Sequence, residues 1–251
     1  MKSLAQDFLL MLQFFTRIPI KMSLPCTPKN FKRGIVFLPL IGFIIGGLQY
    51  TTIFLLQEKL PSSILAVIAT ILPIIVTGGL HIDGLGDTCD GFFAMTPDKN
   101  RIIEIMKDSS AGTYAICGIV SNIMLQYVAI EYIIKKNSIQ VLLVIIMFSK
   151  LFVFFTAMWG KSAKKQGTGN IFIGNISLVI LIIGTAYSLW ISMMTISLVP
   201  SLWLLLSGTI MSLVFYGLCH RKIGGITGDT LGATQELATN IMLIVYCAII
   251  P

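Results

Sequence analysis

Three aspartates in one short stretch carry the clearest chemical signal in the chain. The sequence contains eleven Asp and Glu residues, and six of them lie between positions 83 and 108. Asp83, Asp87 and Asp90 are spaced i, i+4 and i+7, which places them on one face of a helix. Like charges on one face repel each other unless a cation neutralises them, and Mg²⁺ binds carboxylates together with substrate phosphates. The spacing predicts a Mg²⁺ site formed by these aspartates; an ordinary solvated acidic loop is the alternative.

The ligand types in this stretch argue against other metals. An EF-hand places acids at positions 1, 3 and 5 with a distant Glu, and that spacing is missing here. Zinc prefers His and Cys ligands; His81 and Cys89 lie nearby, but nitrogen and sulfur are poor ligands for Mg²⁺. The five cysteines are scattered, without the paired spacing of a zinc site or a disulfide framework.

A second polar stretch, residues 220–236, carries complementary chemistry. Four of its residues are glycines, which allow backbone N–H groups to approach a phosphate closely. Asp229 and Glu236 are seven residues apart and share a helical face, and Glu236 falls in the membrane zone, where ionisable groups are costly and usually functional. An ordinary connector with a basic pair is the alternative. The predicted substrate contacts here are Arg221, Thr227, Gly228 and Glu236. Asp229 joins Asp83, Asp87 and Asp90 as a predicted catalytic residue.

The stretch from Thr96 to about Asp108 predicts a short amphipathic helix, with Thr as its cap and Pro at its first position. Lys107 and Asp108 lie where the chain re-enters the membrane, so both are predicted substrate contacts. For Lys107, a surface pair with Glu104 worth a few tenths of a kcal/mol is the alternative.

Carboxylates, a divalent cation, basic side chains and glycine-rich backbone together suit phosphoryl or nucleotidyl transfer. The cation and basic groups offset charge on the phosphorus oxygens, and a spare carboxylate can accept the proton of an attacking hydroxyl. The chain has no Gly-x-Ser-x-Gly elbow and no Walker loop. These absences argue against a serine nucleophile and against ATP-driven work.

The composition of the chain indicates which kind of secondary structure holds these residues in place. Apolar residues make up 55% of the chain and charged residues 12%, whereas a soluble domain has about a quarter charged residues. A membrane span needs roughly 20 apolar residues in a helix, and lipid offers no hydrogen-bond partners to open backbone. We therefore expect one all-α membrane-embedded domain over residues 1–251, a polytopic bundle of six or seven transmembrane helices. The apolar runs are Ile35–Leu56, Ser63–Leu80, Ala111–Ile134, Ile139–Trp159, Ile171–Trp190, Ser201–Cys219 and the short run Leu237–Ile250.

The N-terminal segment and the basic residues predict the orientation in the membrane. Ser3–Ile18 is short for a span and is expected to lie at the interface as a helix, with a true span as the alternative. If the N-terminus is cytoplasmic, fourteen basic residues fall on the cytoplasmic side and three on the other. Lys150 lies within an apolar run. A basic membrane face suits anionic lipids and substrates, so the net charge of +7 needs no nucleic acid partner.

Several motifs, taken together, resemble those of the cobalamin synthase (adenosylcobinamide-GDP ribazoletransferase) family. The pattern extends along most of the chain, and its two glycine- and aspartate-rich motifs are specific in combination. The matching segments are Phe15–Pro19, Phe37–Gly42, Gly79–Gly91, Glu104–Ser109 with Gly112–Thr113, and Gly224–Ala233.

The resemblance implies an integral enzyme on the cytoplasmic face of a bacterial cell membrane, with Mg²⁺ as cofactor. Such an enzyme joins α-ribazole, or its 5′-phosphate, to adenosylcobinamide-GDP and releases GMP together with adenosylcobalamin or its 5′-phosphate. By position, Asp83, Asp87 and Asp90 correspond to the metal-binding motif, and Asp229 belongs to the second motif. A homo-oligomer is left open.

Two other classes of membrane protein remain as alternatives. A CDP-alcohol phosphotransferase also uses clustered aspartates, but this chain lacks the Ala-Arg pair and the aspartate spacing of that motif. An acid-lined transporter would need ionisable residues near mid-membrane and broken helices, whereas most acids here lie at one predicted face.

Overall fold

The computed structural model describes residues 2–164 and 167–250, and over these residues the chain is helical, without a β-strand. Two short 3₁₀ turns, Ile35–Phe37 and Thr168–Ile171, supplement the α-helices. The α-helices are α1 (Lys2–Phe15), α2 (Pro28–Gly34), α3 (Leu38–Leu56), α4 (Ser62–Thr77), α5 (Leu80–Phe93), α6 (Lys99–Ile105), α7 (Thr113–Lys135), α8 (Val141–Trp159), α9 (Leu178–Ile196), α10 (Leu198–Ile223) and α11 (Gly228–Ile249).

Five segments of the described chain are long and apolar enough to cross a membrane: α2 with α3, and α7, α8, α9 and α10. Helices α4 and α5 satisfy the same criterion only as a pair, which is bent by 92°. Helix α11 begins at Gly228, well before the apolar run that starts at Leu237, and its 22 residues extend about 33 Å. The prediction of an all-α polytopic membrane bundle is therefore confirmed.

Several predicted boundaries are wrong. The run Ser63–Leu80 is not one straight helix, because α4 ends at Thr77 and the chain bends by 92° into α5. Helix α9 begins at Leu178 rather than at Ile171, because Ser177 caps it by accepting a hydrogen bond from the Ile180 N–H. The apolar residues before this cap pack into the core without forming a helix. Helix α6 begins after Asp98 rather than after Thr96, because the Asp98 carboxylate accepts a hydrogen bond from an N–H of the first turn.

Helix α8 lies at the centre of the bundle, with 78% of its apolar window buried. Helix α3 approaches it closely because Gly42 and Gly46 present no side chain. A Cβ at Gly46 would lie 2.7 Å from the Leu142 carbonyl oxygen, and one at Gly42 would collide with the Ile146 carbonyl oxygen. Small residues four apart let membrane helices pack backbone to backbone.

Helices α9 and α10 lie at the periphery of the bundle, where only 22% and 28% of their apolar windows are buried. Large apolar side chains such as Trp190, Met194 and Val214 are mostly exposed on them. Apolar surface of this extent needs a non-aqueous environment. These faces therefore belong against lipid in a multi-pass membrane protein.

Helix α1 forms as predicted, although it ends at Phe15 and not at Ile18. Its Asp7 is fully buried; the carboxylate accepts hydrogen bonds from Asn30 Nδ2 at 2.7 Å and Arg33 Nη2 at 3.3 Å, and it forms an ion pair with Arg33 Nε at 2.8 Å. A buried, paired carboxylate fixes α1 against α2. The predicted position of α1 at the membrane interface stays a prediction.

Candidate active site

The acidic helix α5 starts at a sharp turn made by two glycines. Gly78 and Gly79 both have left-handed backbone angles, with φ of 65° and 77°, which glycine adopts without steric cost. Their N–H groups donate to the carbonyls of Ile75 and Ile74, which ends α4. The chain then bends by 92° into α5. The acidic stretch is therefore a helix that lies across the direction of α4.

Glycines also bring α5 and α11 into close contact. A Cβ at Gly84 would lie 2.7 Å from the Asp229 carbonyl oxygen, and one at Gly232 would lie 3.1 Å from the His81 carbonyl oxygen. The glycines of both motifs thus serve helix packing, which places the aspartates of α5 beside Asp229 of α11. Of the four glycines in the second polar stretch, Gly228 is the one at the start of α11.

The start of α11 is fixed by a reciprocal cap. The Thr227 hydroxyl accepts a hydrogen bond from the Thr230 N–H at 3.2 Å, and the Thr230 hydroxyl accepts one from the Thr227 N–H at 2.8 Å. This arrangement places Gly228 and Asp229 in the first helical turn, where N–H groups have no partner within the helix. A helix N-terminus of this kind suits a phosphate.

The negative charges of Asp83 and Asp87 repel each other, and no described residue donates a hydrogen bond to either carboxylate. In the described part of the chain neither carboxylate accepts a hydrogen bond, and Asp83 is exposed while Asp87 is half-buried. Burial, followed by the negative charges of Asp83 and Asp229, raises the pKa of Asp87 to about 7. The site therefore has a deficit of positive charge.

Asp90 has both carboxylate oxygens engaged by the start of α7. Its Oδ2 accepts a hydrogen bond from the Gly112 N–H at 2.6 Å, and its Oδ1 accepts one from the Ala115 N–H at 2.8 Å. A carboxylate at a helix N-terminus stabilises that helix. Asp90 thus joins α5 to α7, and its metal ligation stays a prediction.

The donor set fits a magnesium ion that is only partly held by protein. No group of three Asp, Glu, His or Cys side chains in residues 2–164 and 167–250 converges closely enough to hold a metal ion. Mg²⁺ is usually bound by one or two carboxylates, with waters and substrate phosphates completing its shell. Asp83 and Asp87 meet this requirement, because their oxygens have no protein donors and their charges are not neutralised.

Lys164 is a member of the site that sequence reasoning missed. Its Nζ lies 2.6 Å from Asp229 Oδ2, which also accepts a hydrogen bond from the Thr227 hydroxyl. Two backbone hydrogen bonds hold the α8–α9 segment against the α10–α11 turn: Ile226 N–H donates to the Lys161 carbonyl, and Ala163 N–H donates to the Ile226 carbonyl. Lys164 and Asp229 are 65 residues apart in the sequence, so no local sequence pattern indicates that they form a pair.

Two clefts meet at Asp83. The first, which we call the aromatic cleft, has a volume of about 120 Å³; its wall includes Phe14, Phe15, Phe172, Asp83, Gly228 and Asp229. The second, which we call the arginine cleft, has a volume of about 610 Å³; its wall includes Gln13, Arg17, Thr77, Gly79 and Asp83. Asp83 thus stands between an apolar site and a polar site.

Seven predicted site residues line neither cleft: Asp87, Asp90 and Thr227, which lie near the cleft residues in sequence, and Lys107, Asp108, Arg221 and Glu236. Lys107 and Arg221 are exposed elsewhere. Asp108 is exposed, and the Ser110 N–H that donates to its carboxylate lowers its pKa. Glu236 lies deeper in the bundle, where its carboxylate accepts hydrogen bonds from Asn122 and Gln126 of α7 at 3.0 and 2.9 Å.

Two further residues near the carboxylates were not predicted as site residues. His81 lines the aromatic cleft and stacks on Phe15, with Nε2 3.4 Å from Lys150 Nζ. Arg17 lines the arginine cleft. Arg17 belongs to the first segment of the family pattern, which was the signal available for it, but that segment gave no indication of where its side chain lies.

The fold and the site together define a polytopic helical membrane protein with an acidic centre suited to phosphate-ester chemistry. Comparison with known families is more specific. A family profile described as cobalamin-5-phosphate synthase matches residues 7–247, and the chain belongs to this family.

Three relatives that are similar over nearly the whole chain carry the same name. The chain is 42% identical over 97% of both sequences to an adenosylcobinamide-GDP ribazoletransferase of Clostridium tetani. It is 42% identical to the protein of that name from Clostridium botulinum strain Langeland over 98% of both, and 40% identical to that of Clostridium kluyveri over 100% of this chain and 99% of the relative. No solved structure matches this chain.

Proposed function

We propose that this chain is an adenosylcobinamide-GDP ribazoletransferase, which acts in the last steps of cobalamin synthesis. The observation that carries the proposal is full-length similarity to relatives of that name, and the acidic centre between α5 and α11 supports it. A ribose hydroxyl of α-ribazole other than the 5′ hydroxyl forms a bond through its oxygen to the cobinamide-side phosphorus of adenosylcobinamide-GDP. The bond from that phosphorus to GMP breaks, and the hydroxyl proton passes to a base. With α-ribazole 5′-phosphate the same hydroxyl attacks, the 5′-phosphate is carried over unchanged, and the product is adenosylcobalamin 5′-phosphate.

The carboxylates of α5 are proposed to bind Mg²⁺, with Asp83 and Asp87 as the protein ligands and substrate phosphates as further ligands. Bound there, the ion would offset charge on the phosphorus oxygens and on the departing GMP. Asp229 lines the same aromatic cleft as Asp83, which supports its carboxylate as the proposed acceptor of the proton of the attacking hydroxyl. Lys164 orients Asp229 through the 2.6 Å ion pair.

The aromatic cleft is proposed as the site for α-ribazole. Phe14, Phe15 and Phe172 supply its aromatic wall, and flat aromatic groups pack well against such rings. The base of α-ribazole is an aromatic ring system, and its ribose hydroxyl would then point towards Asp83 and Asp229. The N–H groups at the start of α11 would stabilise charge on the reacting phosphate.

The membrane and orientation are also part of the proposal: a bacterial cell membrane, with the N-terminus and the acidic centre cytoplasmic. The fourteen-to-three distribution of basic residues supports this orientation. Cys26 is exposed between α1 and α2 and is suited to labelling, whereas Cys219 is buried. A membrane-impermeant thiol reagent should label Cys26 only in inverted vesicles, and labelling in intact cells would contradict the orientation.

The reaction itself is tested with purified protein in liposomes. We expect GMP release from adenosylcobinamide-GDP only when α-ribazole and Mg²⁺ are both present, and no release by an Asp83→Asn variant. A relative with established activity serves as the positive control. Absence of GMP release from the wild-type protein, with the control active, would refute the proposed function.

A further inference from the structure

Arg17 presents an unpaired guanidinium to the arginine cleft. Two other arginines form ion pairs: Arg33 contacts Asp7 at 2.8 Å, and Arg101 contacts Glu104 at 3.0 Å. Within residues 2–164 and 167–250, the Arg17 side chain makes no hydrogen bond or ion pair, although Asp83 lines the same cleft. An arginine and a carboxylate that share a cleft without pairing leave space for a ligand between them.

The position of Arg17 is fixed by its backbone. Its N–H donates to the Val76 carbonyl at 2.7 Å, which joins the end of α1 to the end of α4. The Thr16 hydroxyl next to it donates to the Leu12 carbonyl at 2.6 Å and closes the last turn of α1. Arg17 is thus attached directly before the glycine turn that starts α5.

Gly78 determines where the guanidinium lies. A Cβ at Gly78 would collide with Arg17 Nε and would lie 3.0 Å from Cζ. The guanidinium therefore packs directly over the backbone of Gly78, which holds the group at the wall of the cleft. Arg17 is exposed, so its guanidinium is not held against Gly78 by burial beneath another element.

We propose that Arg17 binds the diphosphate of the nucleotide-activated substrate, on the opposite side of Asp83 from the aromatic cleft. Guanidinium groups bind phosphates through paired hydrogen bonds, and the neighbouring Gln13 and Thr77 make this cleft polar. The inference rests on the proposed function and deepens it: each cleft receives one substrate, and the reacting phosphorus lies where the clefts meet. A lipid headgroup offers the same phosphate chemistry, so the experiment separates the two sources.

GDP binding is the direct test, because it needs no turnover. The affinity of the full-length protein for GDP is measured in nanodiscs of zwitterionic lipid and in nanodiscs with anionic lipid. We expect Arg17→Gln to weaken GDP binding roughly tenfold or more in both lipids, the loss typical of a hydrogen bond to a charged group. Arg101→Gln, an exposed arginine outside both clefts, should bind GDP as the wild type does.

Kinetics show which substrate Arg17 contacts. We expect Arg17→Gln to raise KM for adenosylcobinamide-GDP and to leave KM for α-ribazole within twofold, with partial recovery in Arg17→Lys. Wild-type affinity for GDP in Arg17→Gln overturns the inference, as does a loss seen only with anionic lipid or a selective rise in KM for α-ribazole. If the protein does not release GMP but Arg17→Gln still loses GDP binding, the proposed function fails and the phosphate site stands.

Gly78→Ala provides a second variant that keeps the arginine. The new methyl group would displace the guanidinium, so GDP binding should fall as in Arg17→Gln while the folded fraction, measured by size-exclusion chromatography, is retained. Gly224→Ala is the matched control, because Gly224 has the same left-handed backbone, with φ of 75°, and its Cβ would make only an ordinary 3.6 Å contact with Lys99 Nζ. Unchanged GDP affinity in a folded Gly78→Ala protein overturns the placement of Arg17.

Discussion

Two polar regions lie on the same pair of helices and differ in how their charges are satisfied. At the acidic centre, Asp83 and Asp87 of α5 lie near Asp229 of α11, and the charges of Asp83 and Asp229 contribute to the raised pKa of Asp87. Deeper in the bundle, Lys150 of α8 donates a hydrogen bond to Gln235 Oε1 at 2.8 Å and contacts His81 Nε2 at 3.4 Å. The first region brings several carboxylates together, whereas in the second region the Lys150 amino group contacts the neutral side chains of Gln235 and His81.

The buried network continues on α7, and it joins the helices that carry the active site. Glu236 accepts hydrogen bonds from Asn122 and Gln126, and Asn240 Nδ2 donates to Asn122 Oδ1 at 2.7 Å. Ionisable groups within a membrane protein persist when they are paired or functional. The difference teaches that the buried network holds α5, α7, α8 and α11 together, whereas Asp83 and Asp87 of the acidic centre have no described hydrogen-bond or ion-pair partner, as the proposed metal site requires.

The largest expected effect is that of Asp83→Asn. We expect GMP release to fall roughly 1000-fold, because Asp83 is proposed to bind Mg²⁺ and loss of a group that stabilises transition-state charge has effects of this size. The melting temperature in detergent should not fall, because the change removes a repelling charge. Asp87→Asn should behave in the same way.

Asp98→Asn is the matched control for the acidic centre, since it makes the same chemical change at the cap of α6. Asparagine also caps helices well, so both turnover and melting temperature should match the wild type. If Asp83→Asn retained wild-type turnover, the contrast between the two regions would collapse and the site would lie elsewhere.

Gly84→Ala is expected to damage both regions at once. Its Cβ would lie 2.7 Å from the Asp229 carbonyl oxygen, and backbone has little freedom to move away. We expect a loss of about 2–3 kcal/mol in the free energy of unfolding, as overpacking typically costs, and a large loss of turnover. Gly47→Ala on α3, whose Cβ would make an ordinary 3.8 Å contact, should change neither. A wild-type result for Gly84→Ala would contradict the close packing of α5 and α11.

Lys150→Met separates the two regions. It leaves the Gln235 and His81 acceptors unpaired, so we expect a loss of about 1–2 kcal/mol in the free energy of unfolding. Turnover per folded molecule should fall by less than about fivefold, because the site carboxylates are unchanged. Unfolding in detergent and GMP release are measured on one preparation, and adding Gln235→Leu should recover part of the stability. A 1000-fold loss of turnover with unchanged stability would instead place Lys150 in the active site.

The local parts of this structure were predictable from sequence. The i, i+4, i+7 spacing of the aspartates gave one helical face, and long apolar runs gave the spans, because both depend on residues within a few turns of one another. The boundaries of α9 were not predictable in this way. Its preceding apolar residues, including Phe172, are buried in the core without being helical, and periodicity alone does not separate these cases.

The long-range parts of the site were not predictable. Asp229 and Glu236 share a helical face, but seven residues correspond to about 10 Å along the axis, so one reaches the cleft and the other lies in the bundle. Periodicity gives the direction of a side chain and not its depth. The contacts of Lys164 with Asp229 and of Arg17 with Gly78 arise from packing between distant segments, which no local pattern encodes.

The smallest expected effect comes from Arg101→Gln, which provides a baseline for both regions. The Arg101–Glu104 pair is formed at 3.0 Å, but both side chains are more than half exposed, so water screens the interaction. We expect a change in unfolding free energy below about 0.5 kcal/mol and turnover within twofold of the wild type. If this exposed pair proved as important as Lys150 in the same unfolding measurement, burial would not be what distinguishes the network, and its assignment as the structural region would have to be abandoned. A neutral result would show that an exposed, paired charge contributes little to stability or turnover. Large effects in the other variants could then be attributed to charges that are buried with partners or that lack partners.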